Sequence, residues 1–373
     1  MRATAAVAFV TACIFIRAAI VIAPAGVPAP ASSAYDPPAG SVPFFPASPF
    51  RQKIPNPPTV NPNSAAWVAG MGPFSLNNIA AVTPAGTLVN HHEPVYYNHG
   101  GANVPVTIHC TAHFGNRDCS TEGMTVYIDP RETPQNGAKP GEDDHLALID
   151  VPAGYEYDFW VVHEWPPQNG VLTVNWAGRC ALDGNGFTNP SYSGPHWNSG
   201  CASTASGTPI SMGLIRAKDL MAALHDPHGS LPEAIAFGIP CPGPGPLPAP
   251  FLGSGDGKCP GHAPEGSRLY LAMHDADVDA LGVAPIVAVI LRTLDEDHYG
   301  AFLIDTGGRQ PGMQLAAQSD TTYTAWGLPG PLMTQYLPEA QAEGLPGAAF
   351  PYDEKYEIGL PIPPAVEAAV RFL

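Results

Sequence analysis

Between residues 76 and 310 the chain alternates short apolar runs with clusters of Gly, Pro and Asn. The runs PVTIHC (105–110), MTVYI (124–128), HLALID (145–150), YEYDFWVV (155–162) and VLTVNW (171–176) are rich in β-branched and aromatic residues, the pattern of short strands. AIAFGI (234–239), RLYLAM (268–273) and GAFLID (300–305) repeat that pattern farther along. Two stretches change to helical spacing. In MGLIRAKDLMAAL (212–224), Leu214, Ile215, Leu220, Met221 and Leu224 recur on one face, with Ser211 placed to cap the first turn. APIVAVILRTLDED (284–297) is the second predicted helix. Residues 35–75 are Pro-rich and aperiodic and predict an extended arm, strapped down by Phe44, Phe45 and Phe50. Residues 181–210 predict a long loop, and the weakly patterned tail, 311–373, is expected to wrap the domain. The sum predicts an all-β fold, β-rich with two short helices, arranged over 76–310 as an antiparallel β-sandwich or jelly roll.

The hairpin at 145–162 can be read face by face. A short VPAG turn pairs Asp150 with Tyr155, Ile149 with Glu156, Ala147 with Asp158 and His145 with Trp160. Leu146, Leu148, Tyr155, Tyr157, Phe159 and Val161 then make a core face. The other face gathers His145, Ala147, Ile149, Glu156, Asp158 and Trp160, and a second hairpin brings Trp176 near Asp158. A one-residue slip would bury both acids in the core, so this register is the expected one.

Composition changes the setting rather than the fold. Charged residues are only 13%, while Pro (45) and Gly (39) are abundant, which favours turns over long surface helices. Residues 1–34 begin with Arg2 after the initiating Met, continue as an apolar run and end in Ser32-Ser33-Ala34, the pattern of a signal peptide cleaved near Ala34. Arg17 interrupts the run, which argues against a membrane anchor. A secreted, extracellular protein is expected, with no membrane association after signal removal. Outside the signal lie Cys110, Cys119, Cys180, Cys201, Cys241 and Cys259, three neighbouring pairs suited to local disulfides in an oxidising compartment. Loss of Arg2 and Arg17 with the signal would move the formal charge from −17 to −19. Such a chain repels polyanions, so nucleic acid is not an expected partner and a neutral polymer fits better than a uronate.

Glu156, Asp158, Trp160 and Trp176 suggest carbohydrate chemistry, because tryptophans stack on sugar faces and two carboxyl groups can supply the proton donor and the base or nucleophile of glycoside cleavage. The competing reading is a solvated polar face on an antiparallel sheet. His145 is the candidate base or proton shuttle. Arg216, on the first predicted helix, could bind hydroxyls or a carboxylate, or form a salt bridge with Asp219 or Glu233. Asp305 stands where a strand meets Gly307-Gly308 and could add a third acid or cap the turn; Tyr299 precedes the same strand. Asp183 and Asn185 resemble a fragment of a calcium loop that lacks its later Glu. His91-His92-Glu93 and His109…His113 form no clean metal triad, and no Gly-x-Ser-x-Gly, P-loop or dinucleotide fingerprint occurs. No metal or other cofactor is expected.

Asp144-His145-x4-Asp150, Tyr157-Asp158-Phe159-Trp160, Ser206-Gly207-x-Pro209 leading to Gly213-Leu214-Ile215-Arg216, Tyr299-Gly300 and Asp305-x-Gly307-Gly308 resemble, in order and rough spacing, a group of exported bacterial proteins. The resemblance covers residues 100–310 and implies common descent but no named activity. Glu233 stands where that group's pattern has a histidine. The expected function is an exported enzyme hydrolysing a neutral polysaccharide. Glu156, Asp158 and His145 would be catalytic, and Trp160, Trp176, Arg216, Asp305 and Tyr299 would bind substrate. Two alternatives remain open. One is a non-catalytic carbohydrate-binding or cell-surface protein; the other is a lyase with His145 or Tyr157 as base and Arg216 facing a uronate.

Overall fold

A computed structural model describes residues 35–37, 44–72, 76–82, 92–98, 103–112, 119–138, 143–187, 203–251, 255–307, 313–349 and 356–373. The expected signal peptide and Cys201 lie outside the described residues. In chain order the strands are β1 (Leu76–Val82), β2 (His92–Glu93), β3 (Val95–Asn98), β4 (Val104–Cys110), β5 (Thr125–Ile128), β6 (Leu146–Asp150), β7 (Tyr155–Val162), β8 (Val171–Ala181), β9 (Ile235–Ile239), β10 (Arg268–Leu271), β11 (Ala301–Thr306), β12 (Met313–Leu315), β13 (Ala317–Gln318), β14 (Tyr356–Leu360) and β15 (Val370–Phe372). The helices that matter below are α1 (Ser64–Gly70), α2 (Ala217–Leu224), α3 (Asp275–Ala280) and α4 (Pro285–Leu294).

The strands form a seven-stranded sheet, β14-β1-β12-β9-β11-β10-β15, a six-stranded sheet, β3-β6-β7-β8-β4-β5, and a small ladder, β13-β2. The fold is β-rich as expected, but its sheets are not purely antiparallel. Both large sheets are mixed: β9 runs parallel to β11, β1 to β12, β3 to β6 and β4 to β8. Parallel neighbours need long crossovers, and the one from β9 to β11 carries β10, α3 and α4. The tail does not merely wrap the domain. It supplies β12 inside the seven-stranded sheet and β14 and β15 at its two edges.

Three apolar layers follow from the alternation along the strands. In β9 and β11, Ile235, Phe237, Ala301 and Leu303 face one way, toward Leu220 of α2 and Ile286, Ile290 and Leu294 of α4. Ala236, Phe302 and Ile304 face the other way and meet Val95, Tyr97, Ala147 and Ile149 of the six-stranded sheet. The far face of that sheet buries Leu146, Leu148, Phe159, Leu172 and Val174. Strands covered on both faces read as continuous apolar runs, as β9 does. Phe44, Phe45 and Phe50 are buried in the layer between the sheets.

The first predicted helix begins later than its periodicity suggests. Ser211 does not cap it; Arg216 stands at the N-cap, and α2 starts at Ala217. Residues 210–213 instead form a turn, closed by the Met212 N–H donated to the Pro209 carbonyl at 3.0 Å, and Leu214 and Ile215 continue from it between the sheets to α2. Gly213 allows this through φ of +71° and a close approach to Phe50 and to the backbone of Ala236. Val161, expected in the core face, has φ of +52° and sits at a break in the ladder, between the Trp160–Trp176 and Val162–Val174 pairs.

Disulfides join Cys110 to Cys119 and Cys241 to Cys259. No helix among the described residues is long and apolar enough to cross a membrane.

Gly213→Ala is expected to cost roughly 2–4 kcal/mol, because an added Cβ is both left-handed and overpacked. Gly123→Ala, at φ of +73° with nothing within 4 Å, should cost only ~1 kcal/mol of backbone strain. Urea denaturation midpoints of the two variants test the difference.

Candidate functional site

The hairpin register is the expected one: Asp150 pairs with Tyr155, Ile149 with Glu156 and Ala147 with Asp158. What the polar face meets is different. It meets the second sheet, and both Glu156 and Asp158 are 0% exposed. The 210–215 segment passes directly over them. Asp158 Oδ2 accepts the Ile210 N–H at 2.9 Å, and Glu156 Oε1 accepts the Ser211 N–H at 2.9 Å. Glu156 Oε2 accepts a short bond from the Ser211 hydroxyl. Burial pushes the Glu156 carboxyl up, while its hydrogen bonding with Asp158 and Ser211 and the charge of Arg216 pull against it. These carboxylates satisfy backbone donors that would otherwise be orphaned between two layers. Both side chains lie in the seam between the sheets, not on the solvated face where a catalytic pair was expected.

The other expected residues are dispersed. Trp160 and Trp176 pair across β7 and β8. Trp176 belongs to the apolar layer on the far face of the sheet; Trp160 packs against that layer, and its indole N–H donates to Asp143 at 3.1 Å. Both therefore lie with the far-face layer, apart from Ile210 and the seam over Asp158. Arg216 lies among Tyr97, Glu233, Asp219 and Tyr323, whose combined field raises its guanidinium still higher against the opposing effect of burial. Tyr299 and Asp305 lie at opposite ends of β11, roughly 20 Å apart along the strand at ~3.3 Å per residue. The Asn185 side chain closes a turn by accepting the Phe187 N–H at 2.9 Å, while Asp183 points into solvent. That is Asx-turn chemistry.

Two of the expected residues, Asp305 and His145, lie close enough for their charges to interact, in company the sequence did not single out. Asp305 follows an irregularity in the β9–β11 register after Leu303, the kind of break that re-aims a side chain at a strand end. Its Oδ2 accepts the Ala205 N–H at 3.2 Å and its Oδ1 the Thr306 N–H at 2.8 Å. The Thr306 hydroxyl donates to Asp256 Oδ1 at 2.6 Å, and the Asp256 N–H donates to Glu265 Oε2 at 3.2 Å. One carboxylate oxygen from each of Asp256, Glu265 and Asp305 lies within 4.8 Å of the other two, a set that could also hold a divalent cation. His145, at the entry to β6, holds both oxygens of Glu93 at 3.0 Å through Nδ1. Glu265 is fully buried, Asp305 half-buried and Asp256 exposed, so the group runs from the interior to the surface.

The electrostatics separate these groups. Burial pushes Glu265 up to about 10, reinforced by its hydrogen bond with Asp256 and by the charges of Asp256 and Asp305. Burial and the charge of Asp256 push Asp305 up to about 7, against the opposing charge of His145. Burial alone would lower His145, but Glu93, Asp143 and Asp305 hold it at about 9. Near neutral pH the site therefore offers a neutral carboxylic acid, a cationic imidazole and a carboxyl poised to gain or lose a proton. Asp256 and Glu265 lie in an aperiodic Gly/Pro stretch, and Glu93 was visible only as part of His91-His92-Glu93.

Comparison with protein-family models, with curated proteins and with solved structures finds no match to this chain.

Glu156→Ala should cost about 2–5 kcal/mol, since it orphans buried donors of Ser211; urea denaturation measures it. Glu265 binds its proton more tightly when folded, so the native state holds more protons between the ordinary value of 4.5 and about 10, and its contribution to stability falls as pH rises through that window. Glu265→Gln removes this loss. Its melting temperature relative to the native chain should therefore rise from about pH 5 to about pH 9, as a pair of thermal scans would show.

Proposed function

We propose that this chain is an exported glycan-active enzyme that hydrolyses a neutral polysaccharide, with its chemistry at Asp305 and Asp256 rather than on the hairpin face. The observation that carries the reading is a half-open group of three carboxyl groups in which Asp305 is pushed up to about 7. Two carboxyl groups this close match the ~5–5.5 Å spacing of retaining glycosidases better than the ~6.5–9.5 Å spacing of inverting ones. Asp305 would donate its proton to the glycosidic oxygen as the bond breaks. Asp256 would attack the anomeric carbon, forming a glycosyl ester. Water, giving its proton to Asp305, would then release the sugar and restore both carboxyls. Glu265, protonated and hydrogen-bonded to Asp256, would orient that carboxylate. His145, held by Glu93, would be a positioning residue that sets the proton affinity of Asp305. A strongly acidic chain favours a neutral substrate, and two disulfides accord with an oxidising compartment.

The test is reducing-end release from a panel of neutral and acidic polysaccharides. Asp305→Asn and Asp256→Asn should each lower the rate by ~10³-fold or more, and Glu156→Gln should keep turnover in proportion to its folded fraction. Undiminished release by Asp305→Asn would refute the assignment, and silence with retained glycan binding would make the protein a binding module. The upper limb of the pH–rate profile should fall through about 7 as Asp305 loses its proton. Because His145 holds Asp305 down, His145→Gln should move that limb to higher pH.

A further inference from the structure

A second group of titratable side chains, remote from Asp305 along β11, is used by nothing described so far. Asp275 opens α3, Asp295 closes α4, and His298 lies on the link from α4 to β11. One ligating atom from each lies within 4.8 Å of the other two. His298 Nδ1 is 2.9 Å from Asp295 Oδ1 and 3.5 Å from Asp275 Oδ1. Asp295 Oδ1 also accepts the Asp297 N–H at 3.0 Å.

The donors do not match the acceptors. Asp295 is 0% exposed, and neither its Oδ2 nor the buried Asp275 Oδ1 has an N–H or hydroxyl donor in hydrogen-bond geometry among the described residues; the two like-charged carboxyls are left facing each other. One imidazole N–H, already bonded to Asp295 Oδ1, cannot also serve Asp295 Oδ2 and Asp275 Oδ1. Buried oxygens left this way ask for a positive partner. The nearest guanidinium in sequence, Arg292, is turned toward Asp279 at 2.6 Å instead.

We propose that Asp275, Asp295 and His298 bind a divalent transition-metal ion that ties the start of α3 to the end of α4. Two carboxylates and an imidazole form a mixed O/N donor set that suits zinc better than calcium, which prefers oxygen alone. His298 would ligate through Nδ1 and carry its proton on Nε2. The other side of the site is open enough for an ion to enter, since the Asp275 side chain is 36% exposed. The Asp275 N–H, donated to Asp297 Oδ2 at 3.1 Å, fixes the position of the first ligand. The ion's role would be structural: α4 packs on the seven-stranded sheet, and the same link leads into β11.

The test uses the purified full-length chain, stripped with a chelator and titrated with zinc chloride by calorimetry and thermal shift. One equivalent of zinc should bind and raise the melting temperature. Asp295→Asn and His298→Gln should each weaken binding by ~10-fold or more. Asp275→Asn, at a part-exposed position that tolerates an amide, should do the same with the fold intact. Cobalt loaded in place of zinc should give a visible absorption band that His298→Gln shifts. No stoichiometric binding would overturn the proposal. So would binding that survives in Asp275→Asn and Asp295→Asn, loss in Asp256→Asn alone, or a response to calcium with none to zinc.

Discussion

Two carboxylates on β7 carry the junction of the two sheets. The six- and seven-stranded sheets do not simply meet apolar face to apolar face. A chain segment, 210–215, passes between them as a turn and a short connection, and its N–H groups need acceptors in a layer without access to water. Glu156 and Asp158 supply them from one side. On the other side the Gly213 carbonyl accepts from Ala236 at 2.8 Å, extending the contact onto β9. Burying two acids is unfavourable in isolation and becomes tolerable because donors converge on both. Phe45, Phe50 and Ile210 close the apolar layer around them.

The Asp305 site depends on that junction. The loop that leaves the buried carboxylates includes Ser206, whose N–H is bonded to Ile304 at 3.0 Å, and Ala205, whose N–H holds the Asp305 carboxylate. Anchoring 210–211 thus fixes the neighbouring backbone against the end of β11. The β13–β2 ladder places Glu93 opposite Gln318, and from there Glu93 reaches His145 on the six-stranded sheet. Each sheet contributes a charged group, and burial at the seam sets the affinities for protons.

The strands were legible because their apolar, β-branched runs are local signals, and so was the hairpin register, since a slip would exchange its two faces. What covered the second face was not legible. Polar residues alternating with apolar ones read as solvated, whereas here they meet a sheet whose facing strands, β9 and β11, lie more than 70 positions downstream. Leu214 and Ile215 matched a helical period, yet Gly213 and the carboxylates below hold them extended, so tertiary contacts overrode local preference. Of the site, Asp305 and His145 could be singled out because a strand end and a histidine are local features. Asp256 and Glu265 could not, because they sit in aperiodic backbone and only the fold brings them to Asp305.

The most direct test of the central claim is native-state hydrogen exchange at the Ile210 and Ser211 amides. If Glu156 and Asp158 clamp the segment between the sheets, both amides should be among the slowest in the chain and exchange only through global unfolding. Exchange as fast as that of exposed turn amides would contradict the account, because the segment would then be open and the two carboxylates free to face a ligand.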